Sequence, residues 1–236
     1  MVLSVFAIHY FAERKEMRQL WSKAAVSPAM VKLGSLGLVA TVGLMLVATP
    51  ALAHHPFGGE TPNNAIQGFL SGLGHPVIGL DHLAFVITAG LLAAVMGGGL
   101  LIPIGFVLVS MVGTVLHLMA IDLPAAELVI SASVLVFGAL LAMREPPKTA
   151  VVVGLAAFAG LFHGYAYGEA VIGAGMDAVL AYLAGFAIIQ TAIAVGAYGV
   201  AKQLIGKAEG STLNLRFAGF ALAGVGAAFL SGVFLG

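Results

Sequence analysis

Few residues in this chain can do chemistry, and most of them lie where a charge is costly. Within long apolar stretches the ionisable side chains are Asp81, His82, His117, Glu127 and His163, with His75 and Glu169 at the ends of such stretches. His54 and His55 stand together ahead of the first stretch. Ionisable groups held in an apolar span are functional candidates by default. Imidazole with carboxylate, and no cysteine anywhere in the chain, suits a borderline divalent metal such as Ni, Co or Zn. The missing cysteine also removes disulfides, thiolate zinc sites, iron–sulfur clusters and cysteine nucleophiles.

Spacing constrains how these groups could work together. His75 and His82 are seven apart, which on a straight helix puts them ~10 Å apart along the axis. Both can reach one ion only if the helix bends, and Pro76 and Gly79 lie between them. His163 and Glu169 are six apart and share a face poorly. An N-terminal His54 would offer amine and imidazole together. The bland readings stand beside these. His117 also reads as a hydrogen-bonded helix-end residue. Glu127, after Asp122-Leu123-Pro124, also reads as a first-turn carboxylate that favours the helix dipole. Glu169 also reads as an ordinary loop charge. Adjacent Asp81 and His82 in an apolar span resist such an explanation.

The elements that must position them are membrane helices. The 236 residues are 61% hydrophobic and 8% charged, with a mean hydropathy of +1.08. A soluble domain carries about 25% charged residues, so the solvent that fits this chain is a bilayer. The formal net charge is zero, which leaves no basic field for nucleic acid. Six segments are apolar and near the ~20 residues a crossing needs: 76–96, 100–118, 125–143, 149–168, 176–201 and 213–235. Gly97-Gly98-Gly99, Asp122-Leu123-Pro124, Arg144 to Lys148, Glu169 to Asp177 and Lys202 to Arg216 separate them, the last being the longest polar loop. Residues 54–75 form a leader, and its apolar stretch from Ile66 to Leu73 suits the membrane interface.

Residues 1–53 read as a secretory signal peptide: a basic region with Arg14, Lys15, Arg18, Lys23 and Lys32, an apolar run from Leu33 to Val47, and Ala51-Leu52-Ala53 as the cleavage site. Cleavage would leave His54 as the new N-terminus; the alternative is an uncleaved first helix. The basic region is long, and a start at Met30 would give a compact signal. With the mature N-terminus outside, six crossings put Arg144, Lys148, Lys202, Lys207 and Arg216 inside. Glu60, Asp122, Glu169 and Asp177 then lie outside, as the positive-inside rule requires. Both mature termini are outside in an inner membrane. The candidate groups then gather in the outer half of the bilayer.

His75-Pro76-Val77-Ile78-Gly79-Leu80-Asp81-His82-Leu83-Ala84-Phe85, followed by Gly90, resembles the signature of the HupE/UreJ family. So do Phe162-His163-Gly164-Tyr165-Ala166-Tyr167-Gly168-Glu169, and Pro124-Ala125-Ala126-Glu127 with Ser131 and Ser133. The resemblance covers the whole mature chain. It implies a secondary permease for nickel or cobalt, associated with hydrogenase, urease or cobalamin pathways. Carried over by position, it marks His75, Asp81, His82, His163 and Glu169. Tyr167 departs from the pattern, standing where many members have a second His, so the site lacks an i,i+4 imidazole pair with His163.

The expectation is therefore an all-α polytopic helix bundle, not an enzyme, that takes up Ni2+ or Co2+ and holds no permanent cofactor. His54 and His55 would capture the ion. His75, Asp81, His82, His163 and Glu169 would form the transport site, with Glu127 in support. No phosphate-binding loop of the form G-x-x-x-x-G-K-[ST] is present. A bis-His haem b carrier, using pairs among His82, His117 and His163, is the alternative from another class. A membrane accessory or metal-sensing protein that transports nothing is a further one. H-E-x-x-H and G-x-S-x-G are absent, which disfavours an intramembrane hydrolase.

Overall fold

The computed structural model describes residues 60–207 and 211–235. The expected signal peptide over 1–53, with His54 and His55, lies outside the described residues. The rest is helical: α1 (Ala65–Ile78), α2 (Leu80–Met96), α3 (Leu101–Leu118), α4 (Ala126–Ala142), α5 (Thr149–Gly168), a 3-10 turn (Glu169–Val171), α6 (Met176–Lys207) and α7 (Ser211–Leu235). Among the described residues there is no strand.

Outward faces show what solvent these helices need. On α3 the exposed residues Leu101, Ile104, Leu108, Val112 and Val115 recur at helical spacing and form an unbroken apolar stripe. By length and composition α3, Thr149–Val171, Met176–Ile205 and Thr212–Leu235 can each cross a bilayer, and α1 with α2 make a fifth candidate together. The remaining apolar helix, α4, has 17 residues, about 25 Å of helix. The chain is an all-α membrane helix bundle.

The first segment differs from the sequence expectation. Residues 65–75 are not a surface leader but most of α1, which meets α2 at Gly79 at an angle of 79°. Pro76 lies inside α1, Asn64 caps its start by accepting from the Gln67 amide, and Gly79 is extended (φ −71, ψ 97). Both halves lie along α6. A Cβ on Gly68 would strike Ala178, one on Gly72 would strike Tyr182, and one on Gly90 would strike Ala194. Contacts thus advance along α6 as the chain advances, so α1 and α2 form one broken span rather than a loop that turns back. The loop expected over 202–216 is also shorter. Both flanking helices run into it, and Lys202 lies over the Tyr198 ring at 5.8 Å, one turn away.

α2 is the central element, buried over nearly its whole length from His82 to Met96. An all-round apolar helix belongs in such a place. α3 packs on α5, α4 on α7, and α1 and α2 on α6. Short connections alternate the helix directions. Asp122, Glu127, Glu169 and Asp177 consequently collect at one end of the bundle, and Arg144, Lys148, Lys202 and Arg216 at the other.

Helices in lipid gain little from apolar burial against each other, so close approach of small residues does the packing. A Cβ on Gly164 would meet the Ser110 carbonyl, and one on Gly113 the Leu161 carbonyl. Around Gly154 nothing lies within 4 Å. Gly164→Val should therefore lower stability by about 1–3 kcal/mol, the usual range for overpacking. Gly154→Ala, inside α5 with open space around it, should instead raise stability slightly, by up to about 1 kcal/mol. Thermal unfolding of the purified protein in detergent measures both.

Candidate metal site

The break at Gly79 places His75 on the last turn of α1 and His82 on the first turn of α2. Their ring centroids are 5.9 Å apart, a separation the straight helix would not allow. α5 brings His163 alongside, with its ring centroid 4.8 Å from that of His82. All three imidazoles are fully buried. His75 is 1% exposed, His82 1% and His163 0%.

Each imidazole is held by another polar group. Nδ1 of His82 lies 2.7 Å from Nδ1 of His163, and Nε2 of His163 lies 2.9 Å from Oγ of Ser133 on α4. Nδ1 of His75 lies 3.0 Å from the Tyr182 hydroxyl on α6. That hydroxyl donates to the Tyr167 carbonyl at 2.8 Å. Tyr167 packs against both histidines, with its ring 5.1 Å from His75 and 4.4 Å from His82. Its own hydroxyl donates to Oε1 of Gln190 at 3.3 Å. The Gln190 amide nitrogen is buried and has no hydrogen-bond partner among the described residues.

Apolar rings close the site. Phe85 lies tilted against His163 and Phe106 meets it edge-on, at 4.7 and 5.3 Å between centroids. Phe137 packs on Phe85 and Phe186 on Tyr167. In so apolar a pocket a polar atom must find a partner or carry the full desolvation penalty. The network meets that condition at Ser133, His163 and Tyr182.

Asp81 is half-buried beside the cluster and accepts from the His82 backbone amide at 2.8 Å. The other expected residues are not brought in. Glu127, in the first turn of α4, and Glu169, opening the 3-10 turn, are exposed. His117 pairs its Nδ1 with the Tyr165 carbonyl at 2.6 Å and stacks on the Tyr165 ring. It is a helix-end residue apart from the cluster. Sequence reasoning passed over Tyr182 and Gln190. Their signal was present: each is a polar side chain inside the apolar run of α6.

Among the described residues no three His, Asp or Glu side chains stand as a ready ligand set. Imidazole nitrogens of all three histidines are instead engaged in the hydrogen bonds just described. Two imidazole nitrogens on one ion, each at ~2.0–2.1 Å from it, stand roughly 3 Å apart or more. Nδ1 of His82 and Nδ1 of His163, at 2.7 Å, are at hydrogen-bond distance instead.

A family model described as "HupE / UreJ protein" matches residues 42–229. The chain belongs to the HupE/UreJ family. Protein HupE of Rhizobium leguminosarum bv. viciae is 35% identical over 197 residues, which is 81% of this chain and 97% of that protein. No solved structure matches. The HupE/UreJ match spans every helix from α1 to α6 and most of α7, so both the break at Gly79 and the three buried histidines fall within it.

Gly79 leaves no room for a side chain. A Cβ there would lie 2.6 Å from Cδ2 of His82 and 3.3 Å from Oδ1 of Asp81. Its backbone is not strained for other residues, since φ is −71. Gly79→Ala should thus fold and displace the His82 ring. The expected outcome is shifted His82 and His163 imidazole signals in NMR of the purified protein, at unchanged folded yield.

Proposed function

We propose that this protein is a secondary permease that admits Ni2+ or Co2+ across a bacterial inner membrane. The observation that carries the reading is the gathering of three buried imidazoles at a broken membrane helix. Broken helices with unwound backbone recur where transporters hold their substrates. An imidazole set with one neighbouring carboxylate favours Ni2+ and Co2+ over the hard cations Mg2+ and Ca2+. Membership of HupE/UreJ, a family associated with nickel and cobalt uptake for hydrogenase and urease, supports the same substrate class.

The segregation of charge supports the direction. If the basic end of the bundle is cytoplasmic, as the positive-inside rule favours, the helix break and its histidines lie toward the outer face. All six segments then cross, and both mature termini are outside. Exposed Glu127 and Glu169 flank the approach, and His54 and His55 would deliver the ion from the outer side. His75, Asp81, His82 and His163 form the transport site. A divalent cation moving inward gains ~4.6 kcal/mol per 100 mV of inside-negative potential, at ~2.3 for each charge. That gain needs no nucleotide site. Hydrogenase, urease or cobalamin maturation systems would take up the delivered metal.

The haem alternative meets a steric obstacle. His82 and His163 touch through their ring nitrogens at 2.7 Å, which leaves no room for a macrocycle and its iron between them. His117 faces Tyr165 instead.

Cells expressing the protein should accumulate radioactive nickel or cobalt above the vector control. His82→Ala and Asp81→Ala should reduce that uptake at least tenfold at equal membrane abundance. Wild-type uptake in both variants would overturn the site. A competition series with Ni, Co, Zn and Mn ranks the substrates.

A further inference from the structure

The hydrogen bonds around the three histidines fix which ring nitrogens carry protons, and this divides their roles. A neutral imidazole has one N–H and one lone pair, and the partner facing each nitrogen decides which is which. Ser133 Oγ lies 2.6 Å from the Ile130 carbonyl and 2.9 Å from Nε2 of His163. A carbonyl only accepts, so the single hydroxyl proton of Ser133 goes to Ile130. Ser133 therefore accepts from His163, whose proton is on Nε2. Nδ1 of His163 is then a lone pair. Nδ1 of His82, 2.7 Å away, must donate to it, so the His82 lone pair is on Nε2.

The other half of the cluster follows the same logic. The Tyr182 hydroxyl donates to the Tyr167 carbonyl at 2.8 Å. It can then only accept from Nδ1 of His75, at 3.0 Å. The His75 proton is on Nδ1, and its lone pair is on Nε2.

We infer that the cation ligands are Nε2 of His75 and Nε2 of His82, and that His163, Ser133 and Tyr182 are positioning residues that touch no metal. The inference rests on the permease reading and refines its site. Metal-bound histidines almost always donate their second ring N–H to a neighbouring acceptor, which fixes the ring and raises its basicity. His75 and His82 both show that pattern, with buried acceptors on α6 and α5. His163 shows the opposite: one nitrogen serves Ser133 and the other serves His82. To ligate, it would have to give up the bond that orients His82. The ligands also lie on the two sides of the Gly79 break, so the angle between α1 and α2 sets their separation. Motion of one half-helix against the other would then change the ligand geometry directly.

Two measurements test this. In metal-free protein with 15N-labelled histidine, long-range 15N–1H correlation distinguishes the two tautomers. His163 should carry its proton on Nε2, and His75 and His82 on Nδ1. A proton on Nε2 of either His75 or His82 overturns the inference. X-ray absorption of the Ni2+-loaded protein then counts imidazole ligands. Two are expected in the wild type and two in His163→Gln, whose amide can still accept from His82 and donate to Ser133. Affinity in that variant should fall no more than about tenfold, whereas His163→Phe and Tyr182→Phe should each weaken binding by about 10- to 100-fold. A wild-type count of three that drops to two in His163→Gln overturns the assignment. Absence of any Ni2+ or Co2+ binding by the wild type overturns the permease reading itself. The tautomer measurement uses no metal and no variant, so it decides the proton assignment separately.

Discussion

The bend at Gly79 is the constraint on which the site depends. Pro76 has no amide proton to give the helix, and the Gly79 amide bonds to the His75 carbonyl as the chain leaves α1. The next helix starts at Leu80 in a new direction. Without that turn His75 and His82 would be stacked ~10 Å apart on one face. The bend is held from outside as well as from within. α1 is pressed onto α6 at Gly68 and Gly72, and α2 is pressed onto it at Gly90. Side chains at those places would lift each half away and change the angle. The relative placement of the two histidines is thus fixed by backbone contacts some distance from them.

The third histidine depends on a different packing surface. α3 and α5 run side by side, with Gly113 on one helix and Gly160, Gly164 and Gly168 on the other at the points of closest approach. Thr114 crosses the same seam and donates to the Gly164 carbonyl at 2.8 Å. His163 precedes that carbonyl by one residue, so the seam fixes its position. From there it reaches both His82 on α2 and Ser133 on α4. Three helices, α2, α4 and α5, consequently meet in one hydrogen-bonded chain, and α3 is tied to α5 beside it. Such a network is favourable inside an apolar wall when its members satisfy one another.

Much of this was legible in the sequence because hydropathy and charge are strong signals in a membrane protein. The run 100–118 became α3 (Leu101–Leu118), and 149–168 became α5 (Thr149–Gly168). Asp81 and His82 stood out because nothing around them was polar, and Pro76 with Gly79 marked the possible bend. The leader was misread for a physical reason: Ile66 to Leu73 is too short to span alone, and only α6 shows what it packs against. The loop at 202–216 was too long on paper because Lys and Gln are good helix formers and end no helix. Glu127 and Glu169 joined the candidates because charges at helix ends carry no sign of which way they face. Tyr182 and Gln190 escaped notice because uncharged polar groups hardly alter an apolar average, although they tie the site together.

Tyr167 shows how the parts interlock. Its carbonyl accepts from Tyr182, which orients His75, while its ring lies against both His75 and His82. Its hydroxyl turns away to Gln190. The residue therefore contributes shape and a backbone acceptor to the cluster, but no donor atom directed at the imidazoles. The missing i,i+4 histidine pair on α5 leaves no gap, because the Tyr167 ring stands in its place against both imidazoles. Beside that ring, the imidazoles of His75 and His82 lie on α1 and α2, on the two sides of the break. The separation of those imidazoles follows the angle between the two half-helices, each of which is packed on α6 through glycine contacts.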